Sequence, residues 1–418
     1  MGVVRAIRGR IERHVSRQVA NFWCHVVEGT FASFGGQLVG PQLFSVLVLA
    51  LGGSRATLGT LRSIAALSFV APLIFAPRVE AARRKRRLVL GLGLGQRLPH
   101  LLILAALVLL GARRPLLCLY AIALARLAGG LASSVMVAPW QDLIAETVPI
   151  ERVGRLFGFR NFLSNVLRLA SAAACGAVIA GFAFPLNYEL LYLFSFATMM
   201  LSWAIFTLVD ELPPAAAPKP RQPAGTYFRD LLAALRADRS YRHYLLFLAV
   251  SRTTGPVIGF FGYAAVDHHG LSAAEAVTLA GVAGGIGMIA GNLLLPFVGE
   301  RIGPKRIIAA GVCVRAAAMI LAAAAPSGYW LMAALLVHAL GQACGMVGGP
   351  PLMMKVFPRG RRVGYITLTS VALAPLGVVI PILAGLASQK AGFPAVFAAA
   401  GGIGLAALLP LRRVRPAE

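Results

Sequence analysis

The chain has 418 residues, of which 58% are hydrophobic and only 13% are charged. A soluble domain cannot bury so much apolar surface, so the composition predicts a protein that crosses a membrane several times. The formal net charge of +25 would suit a nucleic-acid-binding protein if the basic residues shared one soluble surface. They lie instead in short clusters between apolar segments, which argues against nucleic acid as a partner.

Twelve apolar segments follow one another along the chain, and each is long enough to cross a bilayer. They must be helices, because lipid cannot hydrogen-bond the open edge of a strand. We number them in chain order as spans 1 to 12, and they cover residues 22–50, 57–77, 88–110, 116–139, 157–182, 188–209, 243–265, 275–298, 306–325, 329–350, 363–387 and 392–411. The expected fold class is an all-α integral membrane protein with twelve transmembrane helices.

The basic residues between the spans indicate how the chain is oriented. If the N-terminus is cytoplasmic, thirty of the 40 Lys and Arg residues fall in cytoplasmic segments and four fall in the outer loops. Cytoplasmic loops of membrane proteins are enriched in Lys and Arg. The sequence therefore predicts a multi-pass protein of the inner cell membrane with both termini in the cytoplasm.

One long connection divides the spans into six and six. It contains a Pro-rich run from Pro213 to Pro220, and segments of this composition are semi-rigid and poorly packed. The expected organisation is a cytoplasmic amphipathic N-terminus, a six-helix bundle, a cytoplasmic linker, a second six-helix bundle and a cytoplasmic tail, at residues 1–20, 21–209, 210–242, 243–411 and 412–418.

Arg126 lies ten residues into span 4, a depth of roughly 15 Å at about 1.5 Å of rise per residue. An arginine in the middle of a membrane costs on the order of 2.5–3.5 kcal/mol even on a lenient scale, so we expect Arg126 to face a wet cavity or a partner. Gly130, Ser133 and Ser134 share its helical face.

Five further arginines lie well inside predicted spans, away from their cytoplasmic ends, and they allow two interpretations. An internal arginine can contact a substrate, or it can cap a helix end or bridge two packed helices. We favour the functional role for Arg126 and leave both interpretations open for Arg168 and Arg252. The three for which we favour a structural role are Arg62, Arg97 and Arg315.

Spans 1 and 10 carry further polar residues. Glu28 is the only one of the 15 acidic residues that lies well inside a span. It is a candidate proton carrier, or else a structural partner of Arg126 or Arg168. His338 and Gln342 lie one turn apart in span 10 and are candidate substrate contacts, although His338 also suits a satisfied interhelical histidine.

Two short motifs resemble those of the major facilitator superfamily. The turn after span 8, Gly299-Glu300-Arg301-Ile302-Gly303-Pro304-Lys305, partly matches the signature turn of that superfamily, and Glu80 stands for its acid in the weaker copy after span 2. Arg126 with Gly130 is similar to the fourth-helix pattern. Together with the six-plus-six division, these motifs resemble a 12-helix bacterial member whose substrate branch the sequence does not identify.

The resemblance implies two pseudo-symmetric six-helix bundles, a substrate path lined by spans 1, 4, 7 and 10, and transport by alternating access. It also implies a cytoplasmic gate. In such a gate, an acid at a helix end, surrounded by arginines, holds two helices together in one conformational state. The gate residues carried over are Glu80, Glu300, Arg301 and Gly303. For Arg126 the resemblance implies a role in coupling transport to protons.

The balance of buried charges indicates a substrate class. One acid, Glu28, faces at least three candidate cavity arginines, Arg126, Arg168 and Arg252, and a buried cation without a partner is costly. We therefore expect a proton-coupled secondary transporter that carries an anionic solute, including efflux of an organic anion. The alternatives are a lipid-headgroup flippase and a multidrug exporter, although residues 172–181 lack the Gly-Pro pair of drug/proton antiporters.

No catalytic cluster or cofactor motif stands out in the sequence. The five cysteines are scattered and have no paired spacing, and the glycine repeat at residues 91–95 lies inside a span with no strand before it. We expect no enzymatic activity, no cofactor and no metal site. The expected partners are a small-molecule substrate, protons and the lipid bilayer, and the expected oligomeric state is a monomer.

Overall fold

The computed structural model describes residues 17–72, 74–75, 84–211, 229, 233, 236, 238–357 and 362–415. Nearly all of these residues are helical, and none of them forms a strand. Ten helices in this part of the chain are long and apolar enough to cross a membrane. The prediction of an all-helical integral membrane protein is confirmed.

Three helices of the first half begin at residues that favour helix starts. Pro41 and Pro115 each stand in a first turn, where the missing N–H would have no partner in any case, and the Ser54 side chain accepts a hydrogen bond from the backbone N–H of Thr57. The helices are Arg17–Leu38 and Pro41–Ala50 in span 1, Arg55–Ala66 in span 2, Lys85–Leu110 in span 3, Pro115–Thr147 in span 4, Ile150–Gly181 in span 5 and Leu186–Phe206 in span 6.

The second half contains one broken span, four long helices and one short helix at the end. Span 7 is interrupted twice, at residues 252–253 and 259–260, so it consists of Arg239–Ser251, Thr254–Ile258 and Phe261–Asp267. The other helices are Ala273–Ile302 in span 8, Pro304–Ala323 in span 9, Gly328–Val356 in span 10, Arg362–Ala406 in spans 11 and 12, and Leu408–Arg413 at the end of span 12.

The difference between ten long helices and twelve predicted spans lies at two places. Span 2 passes from its helix into a 3₁₀ turn at Leu67–Val70, so its regular part is short. Spans 11 and 12 form one helix that Gly392 interrupts with a φ of 82°, at the predicted boundary between them. The count of twelve membrane crossings and the cytoplasmic position of the termini stay predictions, and most of the predicted linker lies outside the described residues.

The two halves meet along two seams that are lined by small residues. Span 5 packs against span 8, and span 2 packs against span 11. At the first seam a Cβ placed on Gly281 would overlap Ala172. At the second, a Cβ on Gly59 would overlap the carbonyl of Pro381. Small residues allow helix backbones to approach closely, so both seams are closed by direct helix contact.

The two ends of the molecule differ in how the halves contact each other. At the end that holds the 51–54 and 268–272 loops, which we call the joined end, one apolar cluster contains Phe44 and Tyr188 of the first half with Phe261 and Phe397 of the second. At the other end, which carries Arg17 and Arg413 and which we call the basic end, the described apolar clusters belong to one half each. The halves are therefore packed together at the joined end.

Candidate functional site

A cavity of about 330 Å³ lies between the two halves. Spans 1, 2 and 5 line it from the first half, and spans 7, 8 and 10 line it from the second. Its larger polar side chains are Gln37, Gln42, Arg62, Arg168, His338 and Gln342. A pocket of this size, with a few polar groups in apolar walls, is typical of a small-molecule site.

Arg62 enters the cavity from span 2 and lies against the backbone of span 7. A Cβ placed on Gly259 would overlap the Arg62 guanidinium, so a larger residue at this position would force the guanidinium to move. The Arg62 Nη1 is buried without a hydrogen-bond partner. Sequence analysis favoured a structural role for Arg62, whereas the structure places it in the cavity wall with an unsatisfied donor.

Arg168 and His338 face the same cavity from spans 5 and 10. The Arg168 Nη1 would lie 4.0 Å from a Cβ on Gly284 of span 8, and its Nε is buried without a partner. His338 is 2% exposed, and its Nε2 is also without a partner. The unsatisfied Nε2 does not fit the alternative of a satisfied interhelical histidine, and Gln342 lines the cavity one turn further along span 10.

No aspartate or glutamate lines this cavity within the described part of the chain. Its titratable lining consists of Arg62, Arg168, His338 and Cys175. Arginine is always protonated in proteins, so the cavity carries a net positive charge. A buried cation that has no anionic partner is costly, and the cavity is therefore suited to a ligand with negative charge.

Gln42 connects the cavity wall to the broken part of span 7. Its side-chain Nε2 donates to the carbonyl of Ile258 at 3.2 Å, and its Oε1 accepts from the N–H of Gly262 at 2.8 Å. A break in a membrane helix frees backbone groups that must be satisfied by protein, and this amide satisfies two of them. Sequence analysis missed Gln37 and Gln42; the available signal was two polar amides in span 1, on either side of Gly40-Pro41.

Arg126 is close to the cavity but is not among its lining residues. Its guanidinium carbon lies 4.1 Å from the centre of the Phe44 ring, which is cation–π geometry, and its Nε is buried without a partner. The rest of its predicted polar face packs against spans 2 and 3. Ser134 Oγ donates to the carbonyl of Ser68 at 2.7 Å, and Ser133 Oγ accepts from Gln96 at 3.2 Å.

Glu28 lies in a separate buried group inside the first half. Its carboxylate pairs with Arg160 at 2.8 Å, and the Arg160 guanidinium lies 4.7 Å from the centre of the Trp140 ring. A Cβ on Gly29 would overlap that guanidinium. The observed partner of Glu28 is therefore Arg160, rather than the Arg126 or Arg168 considered from the sequence, because Arg160 lies on span 5 at the level of Glu28.

The remaining internal arginines have backbone or hydroxyl partners, or are exposed. Arg97 donates to the carbonyls of Met199 at 2.6 Å and Gly93 at 2.9 Å. Arg315 donates to Ser251 Oγ at 2.8 Å. These bonds bridge packed helices, as the favoured structural interpretation requires. Arg252 is exposed and lies one turn from Gly255, which lines the cavity.

The predicted gate is described only in part. Glu80 lies outside the described residues, and Glu300 and Arg301 belong to the helix of span 8, although their side chains are not described. Gly303 has a φ of 81° and precedes Pro304 at the start of span 9. The turn therefore requires a residue that adopts a positive φ, which favours glycine. The gating role of these residues stays a prediction.

A family model for the Major Facilitator Superfamily matches residues 29–295 and 257–418 of the chain. The chain belongs to the Major Facilitator Superfamily. Membership confirms the resemblance seen in the sequence motifs and indicates a transporter rather than an enzyme. The branch within the superfamily is not identified by this match, and a search of curated proteins gave no match to this sequence.

Solved transporter structures share the fold at low sequence identity. The inward-open xylose transporter XylE from E. coli is 14% identical, with a TM-score of 0.71 over 96% of this chain and 97% of that chain. The nucleoside transporter NupG, as its D323A mutant, is 13% identical, with a TM-score of 0.69 over 94% of this chain and 99% of that chain. A bacterial homologue of the human lysosomal transporter Spinster is 15% identical, with a TM-score of 0.65 over 96% and 95%. These likenesses concern the fold.

Proposed function

We propose that this superfamily member is a secondary transporter that carries a small organic anion through the cavity between its two halves. The observation that carries the proposal is the charge of that cavity. Two arginines and a histidine have buried nitrogen atoms without partners, and no carboxylate lies among the lining residues that the structure describes. An anion would satisfy the arginine donors, because the guanidinium fork matches carboxylate and phosphate groups.

The contact between the halves supports alternating access. Packing at the joined end closes the cavity from that side, whereas the described apolar clusters at the basic end stay within one half. The excess of Lys and Arg at the basic end suits the cytoplasmic side of a cell membrane. We therefore propose that this conformation faces the cytoplasm of a multi-pass inner-membrane protein, and that transport proceeds in a monomer.

We further propose that transport is coupled to protons through Glu28. This carboxylate is 4% exposed, and it pairs with Arg160 within the first half, away from the cavity lining. Burial favours the protonated form of a carboxylate and a neighbouring arginine favours the ionised form. A change in the distance between Glu28 and Arg160 during the cycle would therefore bind or release a proton.

The experiment is a thermal-stability screen of the purified protein in detergent against small anions, cations, neutral sugars and phospholipid headgroups. A ligand at 100 times its dissociation constant adds about 2.7 kcal/mol to the folded state. We expect stabilisation by anions that Arg168→Gln abolishes and that Arg113→Gln, a change at an exposed loop arginine, preserves. Stabilisation by cations or neutral compounds alone would contradict an anionic substrate.

The seam between spans 5 and 8 supports a small solute over a lipid headgroup. A flippase needs an opening through which acyl chains remain in the membrane while the headgroup crosses. At this seam a Cβ on Gly176 would overlap Thr278, and one on Gly285 would lie 2.6 Å from the Leu169 side chain. Selective stabilisation by phospholipid headgroups in the same screen would favour the flippase instead, and broad stabilisation by organic cations would favour a multidrug exporter.

A further inference from the structure

We infer that the substrate is a compact dianion whose two negative groups lie at opposite ends, one bound by Arg62 and the other by Arg168. This inference rests on the proposed transport of an organic anion. It adds the number of negative charges and their separation, and it gives Arg62 a direct role in specificity.

The charge of the cavity sets the number of negative groups. Arg62 and Arg168 are its two permanent cations, and the described lining contains no acid that could neutralise either of them. The buried acid Glu28 is already paired with Arg160. A monoanion would leave one buried arginine without a counter-charge, which is costly, whereas a dianion neutralises both.

The positions of the two arginines set the separation of the negative groups. Arg62 belongs to span 2, which packs across the interface against span 11, and its guanidinium lies against Gly259 of span 7. Arg168 belongs to span 5, which packs against span 8, and it lies near Gly284. The two side chains thus enter the cavity from different helices, one beside span 7 and the other beside span 8. This arrangement suits one negative group at each end of a ligand better than a single group held by both arginines.

The volume of the cavity sets the size of the ligand. About 330 Å³ is near the lower end of the range of roughly 300–1,000 Å³ for small-molecule pockets. Such a space admits a short carbon chain between two carboxylates and excludes a lipid. Gln37 and Gln342 also line the cavity, and their amides can bind a hydroxyl or carbonyl group between the charged ends.

The test measures stabilisation of the full-length protein in detergent by a length series of unbranched dicarboxylates from malonate to suberate. We expect one chain length to bind best, because the distance between the arginines is set by the packed spans. The monoamide of that best dicarboxylate, which has the same length and one charge fewer, should bind about tenfold more weakly or worse, the loss expected for one hydrogen-bonded charged group. Methyl phosphate, a dianion with one charged group, should bind more weakly than the best dicarboxylate.

Variants of each arginine test the assignment of the two ends. In Arg62→Gln and in Arg168→Gln, the dicarboxylate should lose its advantage over the monoamide. Arg62→Lys and Arg168→Lys should retain part of it, and Arg113→Gln should retain all of it. If the glutamine variants fail to fold, the comparison of dicarboxylate, monoamide and methyl phosphate on the unaltered protein still decides the inference.

Three outcomes would overturn the inference, and they differ in what they imply for the proposed function. Equal binding of the monoamide and the dicarboxylate would remove the requirement for two charges and leave an anion transporter. Binding of methyl phosphate as tight as the best dicarboxylate would remove the separation between the charged groups. Absence of stabilisation by any anion would overturn the inference and the proposed function together.

Discussion

At the scale of single residues, glycines decide where the buried arginines lie. The Arg62 guanidinium occupies the space left by the absent side chain of Gly259, and the Arg160 guanidinium occupies the space beside Gly29. A guanidinium is broad and planar, so it can approach a helix closely only where no Cβ projects. Each of these glycines therefore positions a charge on a neighbouring helix.

We expect Gly259→Ala to weaken anion binding about as much as loss of the Arg62 charge, on the order of tenfold, because its Cβ displaces the guanidinium. Gly255→Ala is the matched control: it lies in the same broken span and also lines the cavity, but its Cβ would have no atom within 4 Å. Anion dissociation constants measured by thermal shift compare the two. Equal weakening by both variants would show that loss of cavity volume, rather than the position of Arg62, controls binding.

We expect Glu28→Gln to abolish uptake driven by a pH gradient while leaving exchange of labelled for unlabelled substrate across vesicles. Glutamine keeps the shape of the side chain but cannot release a proton. Arg160→Gln, in contrast, leaves Glu28 buried without its partner and should lower the free energy of unfolding by about 3–5 kcal/mol. Loss of exchange together with pH-driven uptake in Glu28→Gln would indicate that the Glu28–Arg160 pair is structural.

At the scale of secondary-structure elements, one arginine at the joined end connects span 2 to spans 7, 11 and 12 of the second half. Arg55 pairs with Asp267 at 2.7 Å and donates to the carbonyl of Ser388 at 2.8 Å. Its guanidinium carbon also lies 4.3 Å from the centre of the Phe393 ring. These contacts hold spans 2, 7, 11 and 12 together, and they must separate if the cavity is to open towards the joined end.

We expect Arg55→Ala to increase the fraction of molecules open at the joined end. The Arg55 and Asp267 side chains are 25% and 28% exposed, so their pairing contributes about 1 kcal/mol, a roughly fivefold change in the equilibrium. Cys175 lines the cavity and reports the opening through its labelling rate in intact cells, where an impermeant thiol reagent reaches the cavity only from the outer side, followed by peptide mass spectrometry.

Arg113→Ala is the control for this experiment. Arg113 is exposed in the loop between spans 3 and 4, so its removal changes a charge without breaking a contact between the halves. The Cys175 labelling rate should stay at the level of the unaltered protein in Arg113→Ala and rise in Arg55→Ala. An unchanged rate in both variants would show that Arg55 does not limit opening at this end.

At the scale of the whole molecule, the uneven distribution of basic residues orients the bundle. We expect Arg413→Cys to be labelled by an impermeant maleimide only from the cytoplasmic side, and Arg113→Cys only from the opposite side. Both positions are exposed at opposite ends, and arginine-rich loops stay cytoplasmic. Labelling of intact cells and of inverted vesicles checks this, and the reverse pattern would invert the topology and the side to which this conformation is open.

The sequence by itself was sufficient for the membrane class, the order of the spans and the superfamily. The first two depend on the length and composition of continuous segments, and the superfamily depends on short motifs, so none of them requires knowledge of how distant helices pack. The sequence also located Arg168, His338 and Gln342. A polar side chain inside a long apolar span is expected to face the interior of the bundle rather than the lipid. All three line the cavity.

Tertiary structure alone decided which arginines face the cavity and which acid pairs with which base. The sequence favoured a functional role for Arg126 and a structural role for Arg62, but Gly259 makes room for Arg62 in the cavity wall and Phe44 packs on Arg126 outside the lining. Likewise, Glu28 pairs with Arg160, 132 residues away in the chain. The environment of a buried charge is set by side chains on other helices, and their positions depend on how the whole bundle packs.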